Sequence, residues 1–314
     1  MKSCMGYAER VAEIVSREAS RCECTLLSGG VDTSFIALVH PGKGGLTAFT
    51  VDLGGSDPIY ASQVASKLKL KDHIVVKPSV EEFLKAVDWV LANFRTIDPV
   101  EVSADAVHYI SMLKAKASGC KCILSGDGGD ELFAGYTFLH RRDRESIAGW
   151  VMEKALEARL PTVDVGKLLG VKVVAPLYSV ELRRKAPEIP VECLVGSGQG
   201  KLLLREYLKA RGLEEVALRP KTPVNEGSGS LKTLEELSAN LNPNDLNVIE
   251  GRLGFKPPSL PHAWLASRML SLGVNPPDRD KRNPCPICGR PLRKNHCMFC
   301  GAYVSPEGVV FHYR

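Results

Sequence analysis

Four short runs rich in apolar and β-branched residues punctuate the first part of the chain, over residues 22–27, 46–51, 73–76 and 120–124. Amphipathic stretches lie between them, and this alternation of strand and helix predicts a parallel α/β sheet. Ser79-Val80-Glu81-Glu82 has the spacing of a capping box, and Phe83, Leu84, Val87, Val90 and Leu91 recur behind it at helical intervals. A helix therefore starts there and is expected to cover one face of the sheet. Beyond Gly135 the pattern is mostly helical, and Leu202, Leu203, Tyr207 and Leu208 mark another buried helix. Residues 240–277 are rich in Asn and Pro and read as a linker with one short helix near 264–272. The predicted organisation is a large α/β domain over 1–239, a linker over 240–280 and a small module over 281–314, with no internal repeat.

Composition fits this picture. A chain of 314 residues with 44% hydrophobic and 25% charged content can bury one large core and carry an appendage. No apolar run approaches the roughly 20 residues needed to span a bilayer, and the charged, amphipathic N-terminus does not read as a signal peptide. The expectation is a cytoplasmic protein with no membrane partner. Net charge is only +5, too small to imply nucleic acid by itself, but its placement is uneven. From residue 281 onward Lys281, Arg282, Arg290, Arg293, Lys294 and Arg314 face one acidic residue, Glu307. A solvated surface around a metal site and a polyanion-binding face both fit that tail.

Two glycine-rich loops carry the candidate chemistry. Leu26-Leu27-Ser28-Gly29-Gly30-Val31-Asp32-Thr33-Ser34 follows a strand and opens a helix, so backbone N–H groups and the helix N-terminus can cradle a pyrophosphate. Asp32 would repel phosphate directly, and its expected task is to hold Mg²⁺. The lysine of a Walker A loop is absent from this position, and Gly42-Lys43-Gly44-Gly45 lacks the spacing to be one. The second loop, Ser125-Gly126-Asp127-Gly128-Gly129-Asp130-Glu131, also leaves a strand and is expected to face the same crevice. Its three carboxylates demand a cation or an amine.

SGGVDTS and LSGDGGDELFAGY together resemble the synthetase domain of glutamine-dependent asparagine synthetases, within the N-type ATP pyrophosphatases. AFTVDLGGSDPIYASQVASKL, GVKVVAPLYSVELRRKAPEIP and GQGKLLLREYLKARGLEEVALRPKTPVNEGSGS resemble further segments of that family in the same order, so the likeness covers residues 20–235. It implies a Rossmann-like, adenine nucleotide alpha hydrolase-like sheet domain with helical additions. It also implies that Ser28, Gly29, Gly30, Asp32, Thr33 and Ser34 bind the pyrophosphate of ATP, with backbone near Leu26, Val51, Ser125 and Gly126 contacting the adenosine. Asp32 and Asp130 would hold Mg²⁺, Asp127 and Glu131 would orient the amine or nucleophile, and Lys221 would stabilise charge as an adenylate forms and collapses.

Three departures from the family pattern matter. A glutaminase domain with an N-terminal cysteine is not expected, because residue 2 is Lys and only 27 residues precede Ser28. The family's PFLD reads Pro176-Leu177-Tyr178-Ser179, so the substrate pocket is expected to differ from one built for aspartate. Asp127 stands where the family more usually has Glu, which keeps the carboxylate and favours intermolecular amidation over ring closure. The resemblance thus implies an ATP-dependent ligase that adenylates an aspartate-like carboxylate and takes ammonia, free or from a separate glutaminase subunit.

Cys285-Pro286-Ile287-Cys288-Gly289 and Cys297-Met298-Phe299-Cys300-Gly301 are two CxxCG knuckles, the pattern of a four-thiolate zinc ribbon. His296 reads as a neighbour of that site and not as a ligand. Ribbons in basic surroundings often touch RNA, so a tRNA-modifying adenylase whose ribbon contacts tRNA is the alternative function. The remaining cysteines include Cys22 and Cys24 before the first loop and Cys120 and Cys122 before the second. The preferred reading is small buried hydrophobes; the competing one is a disulfide between neighbouring strands, in which thiols sharing a face come within bonding range.

Overall fold

The computed structural model describes residues 2–196, 198–305 and 307–313; Arg314, counted above in the basic tail, lies outside them. Helix α1 (Lys2–Ala19) leads into β1 (Cys24–Leu26), α2 (Val31–Val39), β2 (Thr47–Val51), α3 (Asp57–Leu68), β3 (Asp72–Val76), α4 (Val80–Phe94), α5 (Pro99–Ala117), β4 (Cys122–Leu124), the short α6 (Gly129–Leu132) and β5 (Lys172–Val174). All four predicted strands form, within two residues of the expected bounds at either end. The fifth, β5, lies in the region where the sequence pattern is mostly helical and no strand is placed; Lys172-Val173-Val174 is too short to show alternation.

The five strands are parallel in the order β3-β2-β1-β4-β5. The chain winds outward from β1 to β3 on one side, then returns to place β4 against the other side of β1. That reversal makes the carboxyl ends of β1 and β4 the topological switch point, where a parallel sheet opens a crevice for a ligand. Cys24 pairs with Thr47 on β2 and with Ile123 on β4, which sets the two glycine loops side by side.

The chain gathers into two compact units. Residues 1–52, 56–77 and 111–228 form the first, which contains the whole parallel sheet. Its core joins α1 through Val11 and Val15, α2 through Phe35 and Ile36, and the helix Leu202–Lys209 through Leu203, Leu204 and Leu208. The second unit holds 53–55, 78–110 and 229–314. It contains α4, whose capping box is formed, with Glu82 N donating to Ser79 Oγ at 3.2 Å and Ser79 N to Glu82 Oε2 at 2.7 Å.

Where the Asn- and Pro-rich stretch predicts a linker with one short helix, two helices form, Pro243–Leu253 and Leu260–Ser271. Each has Pro in its first turn, where the missing N–H removes no helical bond, so the prolines mark helix starts. The cysteine module packs against the rest of the second unit: Ile97 N donates to Phe299 O at 2.7 Å, and His262 Nε2 lies 3.1 Å from Cys300 O. A module that small has too little core of its own. Among the described residues no helix is long and apolar enough to cross a membrane.

Three disulfides tie the first unit together: Cys4–Cys193, Cys22–Cys122 and Cys24–Cys120. The preferred reading of four small buried hydrophobes is therefore corrected. The expected sharing of one face is corrected too. Cys22 lies before β1 begins, and in the β1–β4 register Cys24 and Ile123 point the same way while Cys122 and Leu124 point the other. Cys22 and Cys122 accordingly join the core of α1 and α2, whereas Cys24 does not. One staple lies on each face of the sheet.

Candidate active site

The first loop leaves β1 at Leu26, which with Val51 at the end of β2 is buried. Gly29 turns the chain with φ of +67°, and a Cβ there would lie 2.4 Å from Ala61 N and 2.5 Å from Tyr60 in α3. Only glycine fits that contact. Inside the loop Ser28 N donates to Thr33 Oγ1 at 3.2 Å, Gly30 N donates to Ser28 Oγ at 3.2 Å, and the two hydroxyls lie 3.1 Å apart. The loop is thus held open at the N-terminus of α2, whose first backbone N–H groups have no helical partner and favour an anion.

Arg219 braces this loop from below. Its Nη1 donates to Ser28 O at 2.8 Å and its Nη2 to Ser56 Oγ at 3.1 Å and Asp57 Oδ1 at 2.5 Å, with the guanidinium 4.2 Å from the centre of the Tyr60 ring. Burial pushes Asp57 up to about 6 although the hydrogen bond and charge of Arg219 pull it down. Arg205 extends the brace by donating to the carbonyls of Gly200, Ala217 and Arg219.

The second loop leaves β4 at Ser125, whose N–H donates to Val174 O at 2.9 Å on the β5 side. Gly126 passes directly against α2: a Cβ there would meet Thr33 Cγ2 at 3.0 Å and Asp32 Cβ at 3.3 Å. Asp127 Oδ1 accepts from Thr162 Oγ1 at 2.9 Å. Gly128 adopts φ of +93° with its Cα seated on Tyr178. Both oxygens of Glu131 are engaged within the loop, Oε2 by Gly128 N at 3.1 Å and Oε1 by Tyr136 OH at 2.6 Å. As placed, Glu131 holds the turn in shape.

Charges alternate across the mouth of the two loops. Lys201 Nζ bonds Asp32 Oδ2 and lies 2.8 Å from Asp130 Oδ1, and Lys221 Nζ lies 2.6 Å from Asp130 Oδ2. Lys201 is 4% exposed and Lys221 25%. Burial alone would raise Asp130, but the two ammonium groups outweigh it and hold the carboxyl well below the usual range. Burial would likewise lower Lys201, and the two aspartates overcome it and keep the ammonium protonated. Asp32 is pushed up, chiefly by burial. Its Oδ1 is buried without a hydrogen-bond partner among the described residues. An orphaned oxygen beside Asp130 fits a hard cation, for which two carboxylates, phosphate oxygens and water form a suitable donor set.

Of the residues expected at the site, Asp32 and Thr33 of the first loop pack against Gly126 of the second, and Lys201 and Lys221 tie Asp32 and Asp130 together. Ser34 is fully buried in α2, and its hydroxyl has no hydrogen-bond partner among the described residues. Sequence reasoning missed Lys201, Arg205, Arg219, Asp57, Thr162 and Tyr136. For Lys201 the signal was the demand of three clustered carboxylates for a cation. Its position, at the start of an amphipathic helix, is one where lysine is ordinarily solvated.

In the second unit Cys285, Cys288, Cys297 and Cys300 are buried with their sulfurs all within 4.8 Å of one another, a cluster able to hold a metal ion, and His296 stands outside it. Gly289 and Gly301 close the knuckles at φ of +71° each. Arg290, expected among the surface charges of the tail, is only 4% exposed. Its guanidinium faces the rings of Phe255 and Phe299 and donates to the carbonyls of Pro277, Cys288 and Leu253.

The family model described as Asparagine synthase matches residues 10–169, just over half of the chain. The glutamine-hydrolyzing asparagine synthetase B of Escherichia coli is 27% identical over 265 residues, covering 76% of this chain and 48% of that one. The glutamine-hydrolyzing asparagine synthetase of Gallus gallus is 28% identical over 229 residues, covering 66% and 40%. The chain thus spans less than half the length of these curated relatives. Among solved structures, a U34-tRNA thiolase, NcsA from Methanococcus maripaludis with its 4Fe-4S cluster, aligns at TM-score 0.32 and 13% identity over 90% of this chain and 83% of that one. A predicted subunit of tRNA methyltransferase from Methanocaldococcus jannaschii aligns at 0.28 and 17% over 64% and 90%.

Proposed function

Because the chain belongs to the asparagine synthase family, we propose that it adenylates a carboxylate with ATP, releasing pyrophosphate, and passes the acyl group to ammonia to form an amide. The observation that carries this reading is the alternating row of Asp32, Lys201, Asp130 and Lys221 beside an open glycine loop at the switch point of the sheet. The loop and the start of α2 receive the β- and γ-phosphates. Asp32 and Asp130 would hold Mg²⁺, which would neutralise charge on the leaving pyrophosphate. Lys221 stands exposed enough to reach the α-phosphate, where charge gathers in the transition state. Thr162, which donates to Asp127 Oδ1, fixes this carboxylate to orient the incoming amine.

An aspartate-like acceptor is the substrate class, with ammonia free or delivered by a separate glutaminase. AMP release measured over a panel of amino acids with ammonium, and separately with tRNA, tests this. Turnover with a free amino acid supports the proposal, and turnover only with tRNA replaces it by an RNA-modifying adenylase.

The cysteine cluster is proposed to hold zinc. Tetrahedral Zn–S bonds of about 2.3 Å place sulfurs about 3.8 Å apart. Cys285 and Cys300 are 3.7 Å apart and Cys288 and Cys297 3.5 Å. An iron–sulfur cube bonds each thiolate to a different iron and spreads them further. Elemental analysis is expected to find one zinc per chain. Stoichiometric iron with visible absorption would contradict the assignment.

A further inference from the structure

Lys201 sits where the proposed metal would meet its ligands. Its ammonium bridges Asp32 Oδ2 and Asp130 Oδ1, the carboxylates of two different loops, and Lys221 takes the remaining oxygen of Asp130. The side chain is built into this place. Lys201 takes a left-handed backbone (φ 60°), its N–H donates to Phe133 O at 2.9 Å, and Gly135 makes room for it, since a Cβ there would fall 2.1 Å from Lys201 Cε and 2.0 Å from Asp130 Oδ1. A divalent ion on these carboxylates would be repelled by an ammonium in contact with them, so the two compete for the pair.

Building on the reading of Asp32 and Asp130 as the Mg²⁺ ligands, we propose that Lys201 is a positioning residue that keeps divalent cations out of this carboxylate pair until nucleotide arrives. The exchange is electrostatic. Lys201 and Lys221 already occupy the Asp32–Asp130 pair, so a dication entering alone must displace an ammonium from it. The triphosphate brings negative charge, and it offers the Lys201 ammonium new oxygen acceptors when it leaves the aspartates. Metal entry is thereby tied to ATP, and the loops are held together by the chain's own cation in the meantime. The orphaned Oδ1 of Asp32 is the oxygen left for the incoming ion.

The test uses Mn²⁺ and the full chain without nucleotide. Free Mn²⁺ is followed by electron paramagnetic resonance in a titration of wild type, Lys201→Met and Lys201→Gln, and melting temperatures are read with and without Mn²⁺. The expected result is at least tenfold tighter Mn²⁺ binding by both variants, and a melting temperature that Mn²⁺ raises in the variants but not in wild type. A residue that serves only packing would lower the melting temperature without changing Mn²⁺ affinity. Equal Mn²⁺ affinity in all three proteins overturns the inference. If that result comes with Mg²⁺-dependent AMP release by wild type, the proposed function stands without this device. If wild type releases no AMP with Mg²⁺ under any acceptor, both fail.

Discussion

Lys221→Ala is expected to lower kcat about a hundredfold or more while the KM for ATP changes by only a few-fold. A cation placed beforehand at the position where negative charge develops contributes more to the transition state than to the bound substrate. The split between kcat and KM is therefore the diagnostic quantity. The variant should fold, because Lys221 is a quarter exposed and its partner Asp130 keeps Lys201 at 2.8 Å. Lys221→Arg is expected to recover part of the rate, since it keeps the charge with a different geometry. Steady-state kinetics on the three proteins, with circular dichroism to confirm folding, checks this. A Lys221→Ala enzyme with normal kcat would remove the residue from the chemistry.

Reducing the disulfides is expected to have the other large effect, this time on stability. The bonds join residues 96, 100 and 189 apart in sequence. Cross-links of that span restrict the unfolded chain enough to contribute about 4–5 kcal/mol each in the chain-entropy model, and loss of even one such term lowers the melting temperature of a unit this size by about 10 °C or more. The consequence reaches the site, because Cys22–Cys122 and Cys24–Cys120 staple together the two strands that carry the glycine loops. Melting curves with and without a reductant, after the ribbon metal has been confirmed to remain bound, give the shift. Thiol titration of denatured, unreduced protein should find the six cysteines outside the ribbon unreactive. Recovery of all six as free thiols would contradict the bonds.

Much of this molecule can be read before it is folded, and the reasons differ from residue to residue. The loops after β1 and β4 are legible because a glycine at φ of +67° or +93° and a helix N-terminus leave local signatures, and because parallel strands bring their carboxyl ends to one side. The capping box of α4 is local in the same way. Lys201 is not local: its role arises from a helix start 71 residues beyond Asp130 in sequence, and nothing in the run Gln199-Gly200-Lys201 marks it as buried. Arg219 is similar, its meaning residing in Ser28, Ser56 and Asp57. The cysteine pairs were visible as spacing, but the faces they occupy depend on where β1 begins and on its register with β4, which no alternation rule supplies.

The central claim is that a carboxylate oxygen attacks the α-phosphorus of ATP, and the fate of that oxygen reports it directly. With the carboxylate acceptor labelled with ¹⁸O, ammonium and Mg²⁺ATP, adenylation forms a bond from the labelled oxygen to phosphorus and expels pyrophosphate. Attack of ammonia on the acyl carbon then breaks the carbon–oxygen bond, so the label departs with AMP. Phosphorus NMR is expected to show AMP carrying one ¹⁸O and unlabelled pyrophosphate, formed in equal amount with an amide that keeps the second labelled oxygen in its carbonyl. Unlabelled AMP, or ADP with labelled orthophosphate, would contradict the account.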